Sequence, residues 1–300
     1  MSEYHTPVML DECIEGLNIK PEGTYVDVTF GGGGHSREIL KHLDKSGRLL
    51  AFDQDADARQ NMIDDDRFVF VDQNFRYLKN FCRLHHAIPV DGILADLGVS
   101  SYQFDQAERG FSIRFDAELD MRMNRQSDLS AKEVINNYSE TELHRIFGMY
   151  GEIQNAKSLA NTIVTARLNA PIITVADLKN AISIRIPRGK ENKYLAQVFQ
   201  ALRIEVNQEL EALKDFLIQS AEVLVSGGRL VVMSYHSLED RLVKNFIAKG
   251  KFSGELEKDL YGNDNRPFDV VSRGAITAST EEISKNNRAR SAKLRVAVKK

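Results

Sequence analysis

Apolar positions along this chain follow two different periods, and their succession predicts an α/β sheet interrupted by a long helical stretch. Short apolar runs rich in β-branched and aromatic residues predict strands at Thr24 onward (TYVDVTF), Arg48–Asp53 (RLLAFD), Arg67–Asp72 (RFVFVD), Val90–Val99 (VDGILADLGV) and Arg229–Ser234 (RLVVMS). Between them the spacing becomes helical: Leu10–Leu17, Arg37–Leu43, and Glu209–Leu224 with apolar residues at 210, 213, 217, 221 and 224, ended by Gly227-Gly228. A helix follows the fifth strand at Leu238–Ala248, and Asp269–Arg273 and Leu294–Val298 are candidate closing strands. From about Ser130 to Val206 the pattern is helical throughout, with S-x-x-E capping boxes at Ser130–Glu133 and Ser139–Glu142 and breakers at Gly151, Pro171, Pro187 and Gly189. The expected organisation is a sheet domain in two parts, 1–107 and 209–300, split by an all-α insertion at 108–208.

The first strand runs into four consecutive glycines, Gly31 to Gly34, before a helix. Such a turn lets backbone approach a ligand and aims unpaired helix N–H groups at it. Three ligands compete. A phosphate-gripping loop needs Lys and then Ser or Thr after the last glycine, and His35-Ser36-Arg37 stands there instead. A dinucleotide turn needs a third glycine where Ser36 or Arg37 falls, and would set Asp27 beside a pyrophosphate of the same sign. An acid just before the glycines suits a ligand with a cationic end, as in S-adenosylmethionine. Asp53, at the end of the second strand, is placed to accept hydrogen bonds from ribose hydroxyls, a group that both cofactors carry. Asp96 closes the fourth strand, and ligands of open α/β sheets gather beyond those strand ends. Phe75, after the third strand, is either an adenine-flanking ring or a core aromatic.

Composition narrows the class. Forty-two per cent hydrophobic residues in 300 build a substantial core, and a net charge of −3 confines any nucleic-acid contact to a local patch. The best candidate is the run from Lys285 to Lys300, with Lys285, Arg288, Arg290, Lys293, Arg295, Lys299 and Lys300 and no acid. Cys13 and Cys82 are too isolated for a disulfide framework or zinc site, and Asp53–Asp57 imitates a calcium loop only until Ala58 takes the required glycine position, so no metal is expected. The polar start MSEYHTPVMLDE, with His5 read as an exposed polar residue, lacks the order of a signal peptide, and no apolar run reaches membrane-spanning length. The expectation is a soluble, cytoplasmic protein. His236 follows the fifth strand at the same edge as the acids, where a structural and a functional role are both open.

The blocks HTPVML (5–10), DVTFGGGGHS (27–36), FDQD (52–55), DLGVSSYQFD (96–105), RGFS (109–112), LDMRM (119–123), ALRIEVNQEL (201–210), YHSLEDRLVK (235–244) and NRARSAKLRV (287–296) closely resemble the ribosomal RNA small subunit methyltransferase H family. The chain departs from that family at Ala117-Glu118, where Gly-Pro is usual. The resemblance implies a class I, Rossmann-like methyltransferase sheet with its helical insertion after the fourth strand. It implies methylation of the exocyclic N4 of a cytidine in the decoding region of 16S rRNA from S-adenosylmethionine. Carried over, the cofactor contacts are Gly33, Gly34, His35, Asp53, Phe75, Asp96 and Gln103. Asp120 and His236 are the candidate catalytic residues on the cytidine side, with Arg122 beside them. The aromatic-rich 108–123 segment is a candidate for helping the base leave its stack. The expected partner is 16S rRNA within the small ribosomal subunit, with no membrane, and a homodimer is left open. A small-molecule methyltransferase and a non-catalytic assembly factor are the competing readings.

Overall fold

The computed structural model describes residues 7–300, so His5 and Thr6 of the first block lie outside the described residues. The chain divides into two compact units, one formed by the residues up to Gly98 together with Leu210–Lys300, the other by Val99–Glu209. The first is built on a seven-stranded sheet: β1 (Thr24–Asp27), β2 (Arg48–Phe52), β3 (Phe68–Val71), β4 (Val90–Asp96), β5 (Leu224–Ser234), β6 (Phe268–Val270) and β7 (Lys293–Lys299). Their order is β3-β2-β1-β4-β5-β7-β6. The first five are parallel, and β7 runs antiparallel between β5 and β6. A six-stranded dinucleotide sheet is parallel in the order 3-2-1-4-5-6. Insertion of a reversed β7 separates this sheet from that one and agrees with the Rossmann-like methyltransferase expectation.

The parallel strands are buried because both faces are covered, which is why they read as continuous apolar runs rather than as alternation. One face carries Val26, Leu50, Ile93, Leu230 and Val232 against Leu213, Phe216, Leu217 and Phe246. The other carries Tyr25, Leu49, Leu94 and Val231 against Cys13, Leu17, Ile39 and Leu40. The helix Leu10–Leu17 buries Cys13 and Leu17 on one stripe and stops at Asn18, whose left-handed backbone (φ 48°) ends the turn.

Two expectations are corrected here. The helix Glu209–Val223 ends before the glycine pair, and Gly227-Gly228 lie inside β5, in an irregularity between the Val90–Leu224 and Gly92–Arg229 pairings. Gly227 takes φ 82°, and a Cβ on Gly228 would stand 2.8 Å from the Val225 carbonyl oxygen, so the glycines serve a bulge rather than a helix cap. The basic run is not a free tail. Leu294, Val296 and Ala297 are buried in β7, and Asp240 takes Arg295 at 2.7 Å and Lys293 at 3.3 Å. Two of the expected phosphate contacts are thus committed to an internal carboxylate.

The second unit is helical: Ala131–Asn137, Glu140–Met149, Ala156–Ala166, Val175–Ile182 and Glu191–Asn207 surround one apolar core. The first two helices start at the capping boxes read from the sequence, Ser130–Glu133 and Ser139–Glu142. The short helix Ser101–Asp105, which holds Gln103, falls in this unit and not with the sheet, as a boundary at 107 had placed it. Phe111, Leu119 and Met121 are core residues of this unit, so Phe111 offers no open ring face to an extruded base and the other two no exposed apolar surface. Phe115, 38% exposed, keeps a face near solvent, with Arg114 over its ring at 5.5 Å. Among the described residues no helix is long and apolar enough to cross a membrane.

Candidate cofactor-binding edge of the sheet

The carboxyl ends of β1, β2 and β4 meet where the strand order reverses, the place at which open α/β sheets bind ligands. Thr29 ties two of these ends together: its hydroxyl accepts the Asp96 N–H at 2.7 Å, while its own N–H donates to Asp27 Oδ1 at 3.0 Å. Asp27 also accepts the Ser36 hydroxyl at 2.7 Å and is 1% exposed. This acid therefore braces the glycine turn from beneath and does not itself face a ligand. It acts through its charge, which raises the pKa of both Asp53 and Asp96.

The glycine turn is shaped by positive φ at Gly31 (50°) and Gly33 (74°). Its helix is Gly34–His42, beginning three residues before the expected Arg37, so Gly34, His35 and Ser36 form the first turn. Their N–H groups have no acceptor within the helix. A Cβ on Gly34 would come within 2.3 Å of Pro7 Cγ, which is why this position is glycine: the N-terminal segment is packed directly on the turn. The same segment fixes His35, whose Nε2 stands 3.2 Å from the Val8 carbonyl oxygen. Burial holds the His35 pKa below its ordinary value, against the pull of Asp96, so the ring is neutral at physiological pH. With the proton on Nε2 toward Val8, the Nδ1 lone pair faces Asp96 Oδ2 at 4.0 Å.

Asp53 and Asp96 flank the turn. Asp53 accepts N–H groups from Gly31 and Asp55, each at 2.8 Å. Burial nevertheless pushes its pKa up to about 6. Asp96 is likewise raised by burial to about 6, opposed by His35 and by the Tyr235 hydroxyl, which donates to Oδ1 at 2.7 Å. Its side chain remains 25% exposed, so it lies at the lip of the core and not within it. Two raised carboxylates beside open N–H groups form an acceptor-rich edge whose ionised state a cation would stabilise.

The remaining expected residues are placed as follows. Phe75 packs edge-on to Phe216 at 5.6 Å and is only partly buried, beside the Asn74–Gln54 hydrogen bond (2.7 Å) that joins the ends of β3 and β2. His236 caps the helix Ser237–Lys249 in a reciprocal box with Glu239. Its Nε2 lies 3.1 Å from Glu239 Oε1 but out of hydrogen-bonding alignment. In the helical unit, Gln103 closes a capping box with Ser100. Asp120 is gripped by Arg122, with 2.7 Å to Nε and 3.0 Å to a terminal nitrogen. Burial works to raise its pKa, but the Arg122 hydrogen bonds prevail and hold it below the usual carboxylate range. Thr29, Ser36 and Tyr235 went unassigned in the sequence because their partners are set by the sheet. Tyr235 and Asp96 are 139 positions apart.

Comparison with known proteins identifies the family. The model of the MraW methylase family matches residues 2–300. Ribosomal RNA small subunit methyltransferase H of Cytophaga hutchinsonii is 62% identical over 296 residues, covering 98% of this chain and 99% of its own. The protein of the same name from Christiangramia forsetii is 59% identical over 299 residues, covering 100% and 99%. That of Bacteroides thetaiotaomicron is 55% identical over 297 residues, covering 99% and 98%. On a match that spans the sheet and the helical unit alike, the chain belongs to the MraW methylase family.

Proposed function

We propose that this protein methylates the exocyclic N4 of a cytidine in the decoding region of 16S rRNA, using S-adenosylmethionine, on small ribosomal subunits in the cytoplasm. The observation that carries the reading is the pair of raised carboxylates, Asp53 and Asp96, on either side of the glycine turn. The residues fit the donor. Asp53 is positioned for ribose hydroxyls, Gly33, Gly34 and His35 supply the close backbone approach, Phe75 offers a ring edge to adenine, and Asp96 meets the cationic methionine end. S-adenosylmethionine held by these residues would supply an electrophilic methyl carbon on a sulfonium, whose neutral thioether is a good leaving group.

The cytosine amine is a weak nucleophile because its lone pair is delocalised into the ring, so the protein's task is alignment and acceptance of the amine hydrogens. Asp96 Oδ2 and the neutral His35 Nδ1, 4.0 Å apart, are both acceptors, and Asp96 is the one assigned to the cationic end of the donor. Asp120, kept ionised by Arg122, is the helical unit's candidate acceptor of hydrogen bonds from the cytidine, and His236 is the sheet unit's own candidate. The amine, cationic once methylated, loses one proton to water, which completes the transfer.

The test is incubation with labelled methyl donor and four substrates: undermodified small subunits, naked 16S rRNA, free cytidine and unrelated RNA. Label on N4 of one cytidine in subunits is the expected result. Label on free nucleoside alone would indicate a small-molecule methyltransferase, and no label anywhere a non-catalytic factor.

A pH dependence follows from the two carboxylates. Each has a folded pKa of about 6, and the ionised form is the better acceptor for ribose hydroxyls at Asp53 and the form that holds a cation at Asp96. Affinity for S-adenosylmethionine should be steady above pH 7 and weaken by about tenfold per carboxylate by pH 5. The effect on the ligand-free fold has the opposite sense. Between the unfolded and folded pKa values the native state binds more protons, so these two groups make it less stable as pH rises from about 4 to 6. Calorimetric titration and thermal unfolding over pH 5–8 check both signs.

A further inference from the structure

The two oxygens of Asp96 have different surroundings. Oδ1 accepts the Tyr235 hydroxyl at 2.7 Å, while Oδ2 looks toward His35 Nδ1 at 4.0 Å, beyond hydrogen-bond reach. His35 is anchored on Val8 and does not close that gap. Tyr235 is itself fixed at its backbone. Its N–H donates to Glu239 Oε2 at 3.0 Å, and Glu239, 3% exposed, sits in the first turn of the helix Ser237–Lys249. Along the ring, a Cβ built on Gly98 would stand 3.7 Å from Tyr235 Cδ2, so a side chain there would only just clear the phenol. A phenol held this way has one partner to give its proton to.

We propose that Tyr235 is a positioning residue for methyl-donor binding, which fixes Asp96 so that Oδ2 is left open to the cationic end of the ligand. The inference rests on the S-adenosylmethionine reading above. The charged and titratable groups around Asp96 explain why a donor is required there. Asp27 from β1 and Glu239 from the helix after β5 repel its charge, the Cys13 thiol from the first helix is near enough to feel it, and His35 and then the Tyr235 hydroxyl oppose them. The Tyr235 pKa is pushed far above its ordinary value, first by burial and then by Asp96, so the hydroxyl keeps its proton and remains a donor throughout the working range. Removing it takes away a bond that the ionised carboxylate prefers, and Asp96 must then titrate at higher pH.

Tyr235→Phe retains the ring and deletes only the donor. Titration of S-adenosylmethionine from pH 5.5 to 8.5 should show the midpoint of affinity loss moved upward by about one unit, with a deficit of about threefold at pH 6.5 that grows toward tenfold at pH 5.5 and closes by pH 8.5. In an Asp96→Asn background the same substitution should leave the pH profile unmoved. A Tyr235→Phe midpoint equal to that of the wild type, whether affinity is unchanged or uniformly lower, would overturn the positioning role. Failure of the wild type to bind S-adenosylmethionine at any pH would instead overturn the reading on which it rests.

Discussion

Asp96→Asn is expected to weaken S-adenosylmethionine binding by about a hundredfold to a thousandfold while leaving the ligand-free protein no less stable. The amide is isosteric and still accepts the Tyr235 hydroxyl, so the change removes charge and little else. A unit charge about 4 Å from a ligand cation is worth roughly 4 kcal/mol at the effective dielectric of a partly exposed site, and each 1.36 kcal/mol is about tenfold. In the empty protein the same charge is unfavourable, as its pKa of about 6 records, so its loss relieves the fold. Calorimetry for the ligand and thermal unfolding for the apoprotein give the two numbers. A carboxylate placed for structure would give the reverse pair: undiminished binding and a lowered melting temperature.

Arg109→Ala should destabilise the helical unit by roughly 3–5 kcal/mol, from buried carbonyls left without a donor and the cavity left by a long side chain. Arg109 is 1% exposed, and one terminal nitrogen donates to the carbonyl oxygens of Arg122 at 2.9 Å and Met123 at 3.1 Å. Its charge also helps keep Asp120 ionised. Truncation leaves two carbonyls without their donor and opens a void beside Phe111, over which the guanidinium lies at 5.8 Å. Gly110, at φ 69° with no room for a Cβ against the Glu118 carbonyl, shows how tightly this segment is folded on itself. Hydrogen exchange of the helices Ala131–Asn137 and Glu191–Asn207 reports the loss locally. Protection equal to the wild type there would show that Arg109 holds nothing in place.

The sheet was legible because strands buried on both faces must be apolar along their length, and acids that end such strands stand out. Asp53 and Asp96 were found that way. What each acid does was not legible: Asp27 reads like the others, yet it is consumed by Ser36 and Thr29 beneath the turn. The glycine pair at 227–228 was misread because a bulge and a helix cap demand the same residue. The strand at Leu294–Val298 was legible from its apolar residues, but the commitment of its cations was not, because a long side chain can reach from a strand to a carboxylate distant in sequence such as Asp240. Tyr235 carried no local signal at all, since only the sheet's strand order brings it to Asp96.

Calorimetric titration of the unmodified protein at pH 7.5 with S-adenosylmethionine and, separately, with a nicotinamide dinucleotide is the most direct measurement. An edge lined by Asp53 and Asp96 predicts saturable uptake of the sulfonium and no heat from the diphosphate. Tight binding of the dinucleotide with none of the methyl donor would contradict it.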